Sequence, residues 1–377
     1  MGTISFTMIA VLVVNAGSSS LKYALFGPGE SSSRLLSGKL ERVGEPGGPA
    51  NHAACVEPLL AQVTKAGGVI DAIGHRIVHG GPRYLESTRV SADLLAELRR
   101  LSSWDPEHLP SEIALIEALA QRFPGTPQVA CFDTAFHRDL PRVSRILPIP
   151  RKYEAAGVRR YGFHGLSYSY LVGQLRREPE GLPQRLVIAH LGNGASVAAV
   201  RDGRSIDTTM GFTPTAGLPM SRRAGDIDPG LVAYLARTEG MTADGFDEMV
   251  NTKSGLLGIS ETSSDVRDLL QREKDDVRAA EALAIFCYRV KQAIGGFAAA
   301  LGGLDTVVFS GGIGEQAAEI RARILDGLEF LGIVLDPARN AANAAVITRD
   351  DSRVRGRVIR TDEESEIARA TREVLKP

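Results

Sequence analysis

The stretch Ile9-Ala-Val-Leu-Val-Val-Asn15-Ala-Gly17-Ser18-Ser19-Ser20-Leu-Lys22 decides how the rest of the chain is read. Ile9–Val14 is apolar, rich in β-branched residues and too short for a long helix, so it predicts a buried strand. The run stops abruptly on Asn15, Gly17, three hydroxyls and the cation of Lys22. A turn of this composition offers backbone N–H groups, small hydroxyls and one positive charge, the parts needed to hold a phosphate or its metal. The same residues also make an ordinary hairpin turn. Taken alone, the stretch leaves both readings open.

Length and composition narrow the field. At 377 residues two domains with a sizeable core are expected. A chain that is 44% hydrophobic and 24% charged is an ordinary globular one. A net charge of −1 provides no field to draw nucleic acid or a membrane surface, so neither is an expected partner. Cys55, Cys131 and Cys287 are odd in number and far apart. They make neither a metal pair nor a disulfide framework, which points to a reducing, cytoplasmic setting. The first eight residues lack a basic segment and the apolar run after them is short, so no signal peptide or membrane span is expected. Met8 reads as the ancestral start, with residues 1–7 an extension.

Strand and helix signals alternate along the chain. Tyr23–Phe26 continues as a second strand, and residues 27–34 and 43–51 read as loops. Residues 56–66 and 91–101 have helical spacing, the latter with Ser91 as N-cap. Val69–Ile73 is a strand candidate running into Gly74-His-Arg-Ile-Val-His-Gly-Gly81. Ser111 is expected to cap a helix to about Phe123, and Gln128–Phe132 is a strand that ends on Asp133. Pro141, Pro148 and Pro150 mark a domain junction. Further on, Arg185–His190 and Val197–Val200 bracket a Leu191-Gly-Asn-Gly-Ala-Ser196 turn, with a tight Asp202-Gly203 turn beyond. A long helix spans about 278–301. Thr306–Phe309 is a strand, followed by Ser310-Gly-Gly-Ile-Gly-Glu315 and a helix to about Leu331. Thr361 is expected to cap the C-terminal helix, with Glu364 completing a capping box. The alternation argues for an α/β fold. The strand pair around Asn193 repeats the one around Asn15, which points to an internal duplication.

Polar residues gather just past apolar strands, at Asn15, Asp133, Asn193 and Gly312, where α/β sheets bind ligands. No GxxxxGK[ST] loop is present, so a nucleotide enzyme with this sequence has to use hairpin turns. Gly312-Ile-Gly-Glu-Gln-Ala317, with Asp336 after the next apolar run, matches GxGxx[GA] and supports a rival reading as an NAD-dependent oxidoreductase. Arg76 and Arg223 stand beside glycine-rich turns and have the planar fork that suits carboxylate or phosphate. Singly, each reads first as a surface ion pair.

Nine stretches together are more specific. Val14-Asn-Ala-Gly-Ser-Ser-Ser-Leu-Lys22, Gly74-His-Arg-Ile-Val-His-Gly-Gly81, Phe132-Asp-Thr-Ala-Phe-His137, Tyr161-Gly-Phe-His-Gly165, His190-Leu-Gly-Asn-Gly194, Met210-Gly-Phe-Thr-Pro214, Asp265-Val-Arg-Asp268, Gly312-Ile-Gly-Glu315 and Thr361-Asp-Glu-Glu364 follow one another in order. In this the chain resembles the acetate/propionate kinase family. The resemblance implies a duplicated actin-like (ribonuclease H-like) ATPase fold, with two α/β domains around a cleft. These would be an N-terminal domain at 1–148, with the C-terminal helix 362–377 packing back on it, and a nucleotide-binding domain at 149–361. It also implies a homodimer and reversible transfer of the ATP γ-phosphoryl group to acetate with Mg²⁺ or Mn²⁺, giving acetyl phosphate and ADP.

Carried over by motif position, Asn15 and Glu363 would hold the metal. Arg76 and Arg223 would bind the carboxylate and the transferring phosphoryl group, Asp133 would be the essential acid, and His164 a transition-state donor. His190, Asn193 and Gly194 would contact phosphate oxygens, with Lys22 a supporting charge. Asp265, Arg267, Gly312, Ile313 and Gly314 would line the nucleotide site. Val78, Phe163 and Pro214 would form the pocket for the acyl methyl. Acetate is already an anion, so Asp133 reads as a metal or orienting group rather than a general base. His108 aligns with a family histidine in altered surroundings. His75, His79 and His137 read as structural. Glu107 replaces an apolar residue beside the acyl pocket, which keeps propionate or another short-chain acid as an alternative. A non-catalytic nucleotide-binding protein is a third class, opposed by the presence of Arg76, Asp133, His164 and Arg223 together.

Overall fold

The structure, a computed structural model, describes residues 9–17, 20–29 and 33–376. Residues 1–7, read as an extension, and Ser18 and Ser19 of the first turn lie outside the described residues. The chain divides into two compact units: one is the chain to Arg138 with Gly165–Tyr170 and the part from Asp362 onward; the other is Asp139–His164 with Leu171–Thr361.

The first unit is built on a six-stranded sheet of β1 (Val11–Ala16), β2 (Ser20–Phe26), β3 (Arg34–Glu41), β4 (Ala72–Ile77), β5 (Thr88–Arg89) and β6 (Gln128–Phe132), in the order β3-β2-β1-β4-β6-β5. β1, β2 and β3 form an antiparallel meander; β4 runs parallel to β1, and β6 parallel to β4. Alternate residues of β1 point to opposite faces. Leu12, Val14 and Ala16 join a core with Leu59, Val63, Leu115 and Leu119 from the helices Val56–Lys65 and Leu109–Arg122. Val11 and Val13 pack with Ile367, Ala368 and Ala370 of the C-terminal helix Glu363–Leu375. Both faces of β1 are covered, which is why its sequence is continuously apolar instead of alternating.

The second unit repeats this plan. Its strands are β7 (Arg185–Leu191), β8 (Ala195–Arg201), β9 (Arg204–Thr208), β10 (Thr306–Ser310) and β11 (Arg355–Val358), in the order β11-β10-β7-β8-β9. Again an antiparallel meander, β7-β8-β9, is extended by parallel strands, β10 beside β7 and β11 beside β10. Asp202 and Gly203 both have positive φ, as a two-residue hairpin turn requires. The long helix Val277–Leu301 covers β7 and β8. Thus β1, β2, β3, β4 and β6 correspond to β7, β8, β9, β10 and β11, and the duplication expected from the two Asn-Gly turns is real at the level of topology.

Several local expectations need correction. The strand expected at Val69–Ile73 begins at Ala72 and runs through Ile77, so Gly74, His75 and Arg76 lie in the sheet. Val69 is exposed, and Gly68 N–H still closes on Val63 O of the preceding helix (3.0 Å). The helix assigned to a Ser111 cap starts at Leu109, with Pro110 in the first turn, where a missing N–H is harmless; Ser111 Oγ donates to His108 O (2.8 Å). Asp362, not Thr361, caps the C-terminal helix, its carboxylate accepting Ser365 N–H at 3.0 Å. The single helix expected to reach Leu331 is broken into Gly311–Gln316, Ala318–Leu325 and a 3₁₀ turn at Glu329–Leu331. The dinucleotide reading fails on the same evidence. Its glycines sit inside a short helix, its sheet is mixed, and Asp336 caps another helix by accepting Ala338 and Arg339 N–H groups (both 3.0 Å).

Candidate active site

Three neighbouring strands of the first unit end in polar residues that meet. Arg76, on β4, donates from Nε and Nη2 to Asp133 Oδ2 (3.1 and 2.6 Å) and from Nη1 to Ala16 O at the end of β1 (3.0 Å). Asp133 follows β6, and its own N–H donates to Ile77 O (3.0 Å), which fixes it beside the end of β4. Its second oxygen, Oδ1, is buried and has no hydrogen-bond partner among the described residues. Asn15, buried on β1, donates from Nδ2 to Glu363 Oε2 (3.1 Å) and, at longer range, to Glu364 Oε1 (3.4 Å). The first unit therefore brings together Asn15, Arg76, Asp133 and Glu363.

Their electrostatics are those of a buried charge cluster. Burial opposes the charge on Arg76, but Asp133, Glu363 and Glu112 around it outweigh burial and raise its pKa. Burial raises the Asp133 pKa, and Glu363 adds to this against the pull of Arg76. Glu112, in the first turn of its helix, was not singled out by sequence. It is buried, both of its oxygens accept Val78 N–H (3.3 and 3.1 Å), and burial pushes its carboxyl up to about 8. Its only sequence signal is a carboxylate set among the apolar positions Leu109, Ile113 and Ile116. Val78 is itself buried.

Other residues of this unit have plainer roles. Lys22 is exposed on β2, paired in register with Asn15. His108 Nδ1 lies 2.7 Å from Asp105 Oδ1, and Glu107 is exposed. His75 is pushed down to about 4 by burial and bonds Gln128 (2.6 Å), as a structural histidine does.

The donor set fits Mg²⁺. Asp133 Oδ1, the Glu363 carboxylate and the Asn15 amide oxygen are hard ligands. Among the described residues, no three His, Cys, Asp or Glu side chains form a ready cage. Mg²⁺ commonly takes one or two carboxylates alongside substrate phosphates, so no such cage is required.

The second unit assembles histidines, hydroxyls and exposed backbone around its turn. His164 has a left-handed backbone (φ 58°, ψ 22°) at the start of the helix Gly165–Arg177, uncommon for a residue with a side chain. Its Nδ1 lies 2.8 Å from Ser196 Oγ on β8, and its ring stacks on His190 of β7 at 4.2 Å. A Cβ on Gly194 would stand 3.1 Å from His164 Nε2, a tight approach that glycine avoids. Asn193 is exposed at the turn tip. Its O accepts Ser221 N–H (3.2 Å) and its Oδ1 accepts Ser221 Oγ (3.5 Å). This ties down the loop of half-buried Arg223, whose O accepts Met220 N–H (2.9 Å).

Gly312 lies beside the same turn, its N 3.9 Å from where a Gly192 Cβ would stand. Gly312 itself is exposed, and a Cβ there would meet nothing within 4 Å. The chain has no internal need for glycine at this point, which suits close approach of a ligand to the backbone. Ile313 is half-buried and Gly314 buried. Glu315 secures the turn by accepting Gly311 N–H (3.0 Å) and Thr361 N–H (3.1 Å). Phe163 and Pro214 are buried in this unit. Asp265 and Arg267 pair with each other (2.5 Å), and the Arg267 side chain bond holds the Asp265 carboxyl below its usual range. Ser196, Ser221 and Glu315 carry no sequence signal of these roles, since their partners are distant in the chain or backbone groups.

The comparisons with known proteins agree with one another. The model of the Acetokinase family matches residues 10–369. The acetate kinase of Bacillus subtilis (strain 168) is 43% identical over 390 residues, covering 96% of this chain and 98% of that protein. Among solved structures, Porphyromonas gingivalis acetate kinase superposes with a TM-score of 0.88 at 37% identity, covering 98% of this chain and 100% of the other. A propionate kinase from Francisella tularensis subsp. tularensis SCHU S4 superposes with a TM-score of 0.92 at 36% identity, with the same coverage.

Proposed function

The chain belongs to the Acetokinase family and has its duplicated, actin-like α/β fold, and from that premise we propose that this kinase transfers the γ-phosphoryl group of ATP to the carboxylate of acetate, reversibly, giving acetyl phosphate and ADP. The observation that carries the reading is the pair of half-buried Arg76 with buried Asp133 beside Asn15 and Glu363, one Asp133 oxygen having no partner among the described residues.

Phosphoryl transfer through a loose transition state needs placement and positive charge more than covalent help. Arg76 offers five N–H donors and spends three on Asp133 and Ala16, leaving two for a carboxylate or phosphoryl oxygen. Arg223 is the second cation in this reading. His164, its Nδ1 engaged by Ser196, donates from Nε2 to a phosphoryl oxygen. Asp133 keeps Arg76 in a fixed orientation. Val78, Phe163 and Pro214 receive the methyl group. His190, Asn193, Gly194, Asp265, Arg267, Gly312, Ile313 and Gly314 bind the nucleotide, with Lys22 a supporting charge. Mg²⁺ (or Mn²⁺), held by Asn15 and Glu363 with Asp133 alongside, would offset phosphate charge.

The same reading includes an N-terminal domain and a C-terminal nucleotide-binding domain, a cytoplasmic location and a homodimer. The three cysteines are buried free thiols, and among the described residues no helix is long and apolar enough to cross a membrane. The helix Gly230–Glu239 has no buried residue and exposes Leu231, Val232 and Tyr234, an apolar surface that suits a second copy. Propionate is the second acceptor to weigh, since a propionate kinase stands among the similar solved structures.

Purified protein with Mg²⁺-ATP and formate, acetate, propionate or butyrate, trapped with hydroxylamine, tests the proposal. Acyl hydroxamate is expected, most of it from acetate. No product from any acid would refute the reading, and a preference for propionate would replace the acceptor.

A further inference from the structure

The Gly312–Glu315 turn is held by a buried charge that the mechanism above does not use. Arg321, in the helix Ala318–Leu325, is fully buried. Its Nε donates to Asn340 Oδ1 (2.8 Å), and its Nη1 to the carbonyls of Gly314 (2.9 Å) and Glu315 (3.0 Å). Its Nη2 donates to Asn340 O (2.9 Å) and Asn343 Oδ1 (2.5 Å). Asn340 is oriented in turn by donating from Nδ2 to Ala318 O (2.7 Å). None of these acceptors is a carboxylate, so the guanidinium is buried without a counter-ion among the described residues. Burial lowers its pKa only to about 10, so the charge persists at neutral pH.

Burying a lone cation is costly, and an apolar side chain between Ile320 and Ile324 would fill the space without that cost. What the cation accomplishes is specific. The carbonyls of Gly314 and Glu315 lie at the end of the short helix Gly311–Gln316, where carbonyls lack helical partners. Arg321 satisfies both from behind, while the Glu315 carboxylate takes the N–H groups of Gly311 and Thr361 at the other end. The turn is clamped at both ends, and between the clamps Gly312 stays exposed.

We infer that Arg321, braced by Asn340 and Asn343, is a positioning residue for the nucleotide, holding the Gly312-Ile313-Gly314 backbone in the shape that receives ATP and ADP. This rests on the kinase reading above. The sequence hid it, because an arginine on the apolar face of a helix has no recognisable role until its carbonyl partners are known.

The test uses the full-length protein, calorimetric titration with Mg²⁺-ADP, and separate KM values for ATP and acetate. Arg321→Lys keeps a cation but loses the planar fork. The expected result is an ADP Kd and an ATP KM raised about tenfold or more, with the acetate KM within about twofold of wild type. Asn343→Gly accepts the positive φ of 50° at that residue and removes one acceptor; it should weaken ADP binding about threefold. A folded Arg321→Lys protein that binds ADP as wild type does would overturn the inference, as would equal rises in both KM values, the mark of general loosening. If Arg321→Lys fails to fold, Asn343→Gly decides, and unchanged ADP affinity there overturns it. Wild-type protein that binds no ADP and makes no acyl phosphate overturns the kinase reading along with it, whereas an active wild type with unaffected variants overturns this inference alone.

Discussion

The hairpin turns after β1 and after β7 occupy the same place in the same topology and carry different chemistry. Around the first, charge is concentrated: Arg76 pairs with the buried Asp133, and Asn15 bonds Glu363. Around the second, imidazole and backbone come forward: His164 stacks on His190 and is held by Ser196, and glycines stand at 192, 194 and 312, while the charged Glu315 and Arg321 are spent on backbone groups of the turn itself. The flanking strands differ in the same sense. β4 carries His75 and Arg76 and β6 runs into Asp133, whereas their counterparts β10 and β11 end on Ser310 and Val358. A duplicated fold fixes where a ligand meets the sheet; the side chains placed there divide the chemistry. In our reading the first turn handles the acyl acceptor and the transferring group, and the second receives the nucleotide through backbone and histidine.

The largest expected effect belongs to the charged turn. Arg76→Ala should lower acyl phosphate formation about 10³-fold in the hydroxamate assay. It also strands Asp133 as a buried carboxylate without its cation, so urea unfolding should show a loss of about 3 kcal/mol. Near-normal turnover would break the division. Next, Asp133→Asn keeps the shape and removes the charge. A fall in kcat of about 10²-fold with little change in the acetate KM is expected, since the group acts in the transition state. Wild-type kcat would remove Asp133 from the mechanism.

At the second turn, Ser196→Ala releases His164 Nδ1, and a loss of about tenfold in kcat is expected, with ADP affinity preserved. A larger loss than in Asp133→Asn would reverse the ranking of the two turns.

The smallest effect concerns Glu112 and is one of stability. Its folded-state pKa is raised to about 8 from the ordinary 4.5. In that window the folded state holds the proton more tightly than the unfolded chain does. The stabilisation is complete at low pH and is lost as pH rises through about 8. Glu112→Gln cannot ionise, so its Tm relative to wild type should climb between about pH 5 and about pH 8. A constant difference across that range would show that Glu112 is ionised throughout.

The fold was legible wherever pattern and burial coincide. β1 and β7 are covered on both faces and read as apolar runs, and the repeated Asn-Gly turn gave away the duplication. Ser91 was legible as a cap because its hydroxyl accepts Leu94 N–H (3.2 Å) with nothing competing. The C-terminal cap was not. Thr361 and Asp362 are adjacent candidates, and the choice rests on tertiary bonds, Thr361 N–H going to Glu315 and Asp362 also pairing with Arg34. The break at Ala317 was hidden for a similar reason, since Gly311–Glu315 reads as a loop before a helix until Glu315 and Arg321 are seen to hold it as a turn of helix. Asn15 and Asp133 stood out because polar side chains after apolar strands mark ligand positions, Arg76 because it stands beside a glycine-rich turn, and His164 only through the family resemblance. Glu112 and Arg321 did not, because a charge on an apolar helix face makes sense only with its distant partners, the Val78 N–H and the carbonyls of Gly314 and Glu315.

The division between the two turns is tested most directly by titrating Mg²⁺-ADP into folded Arg76→Ala by calorimetry. We expect an ADP Kd within about threefold of wild type although turnover has fallen about 10³-fold, since in our reading the nucleotide is held by the second turn. A loss of ADP affinity as large as the loss of turnover would contradict it.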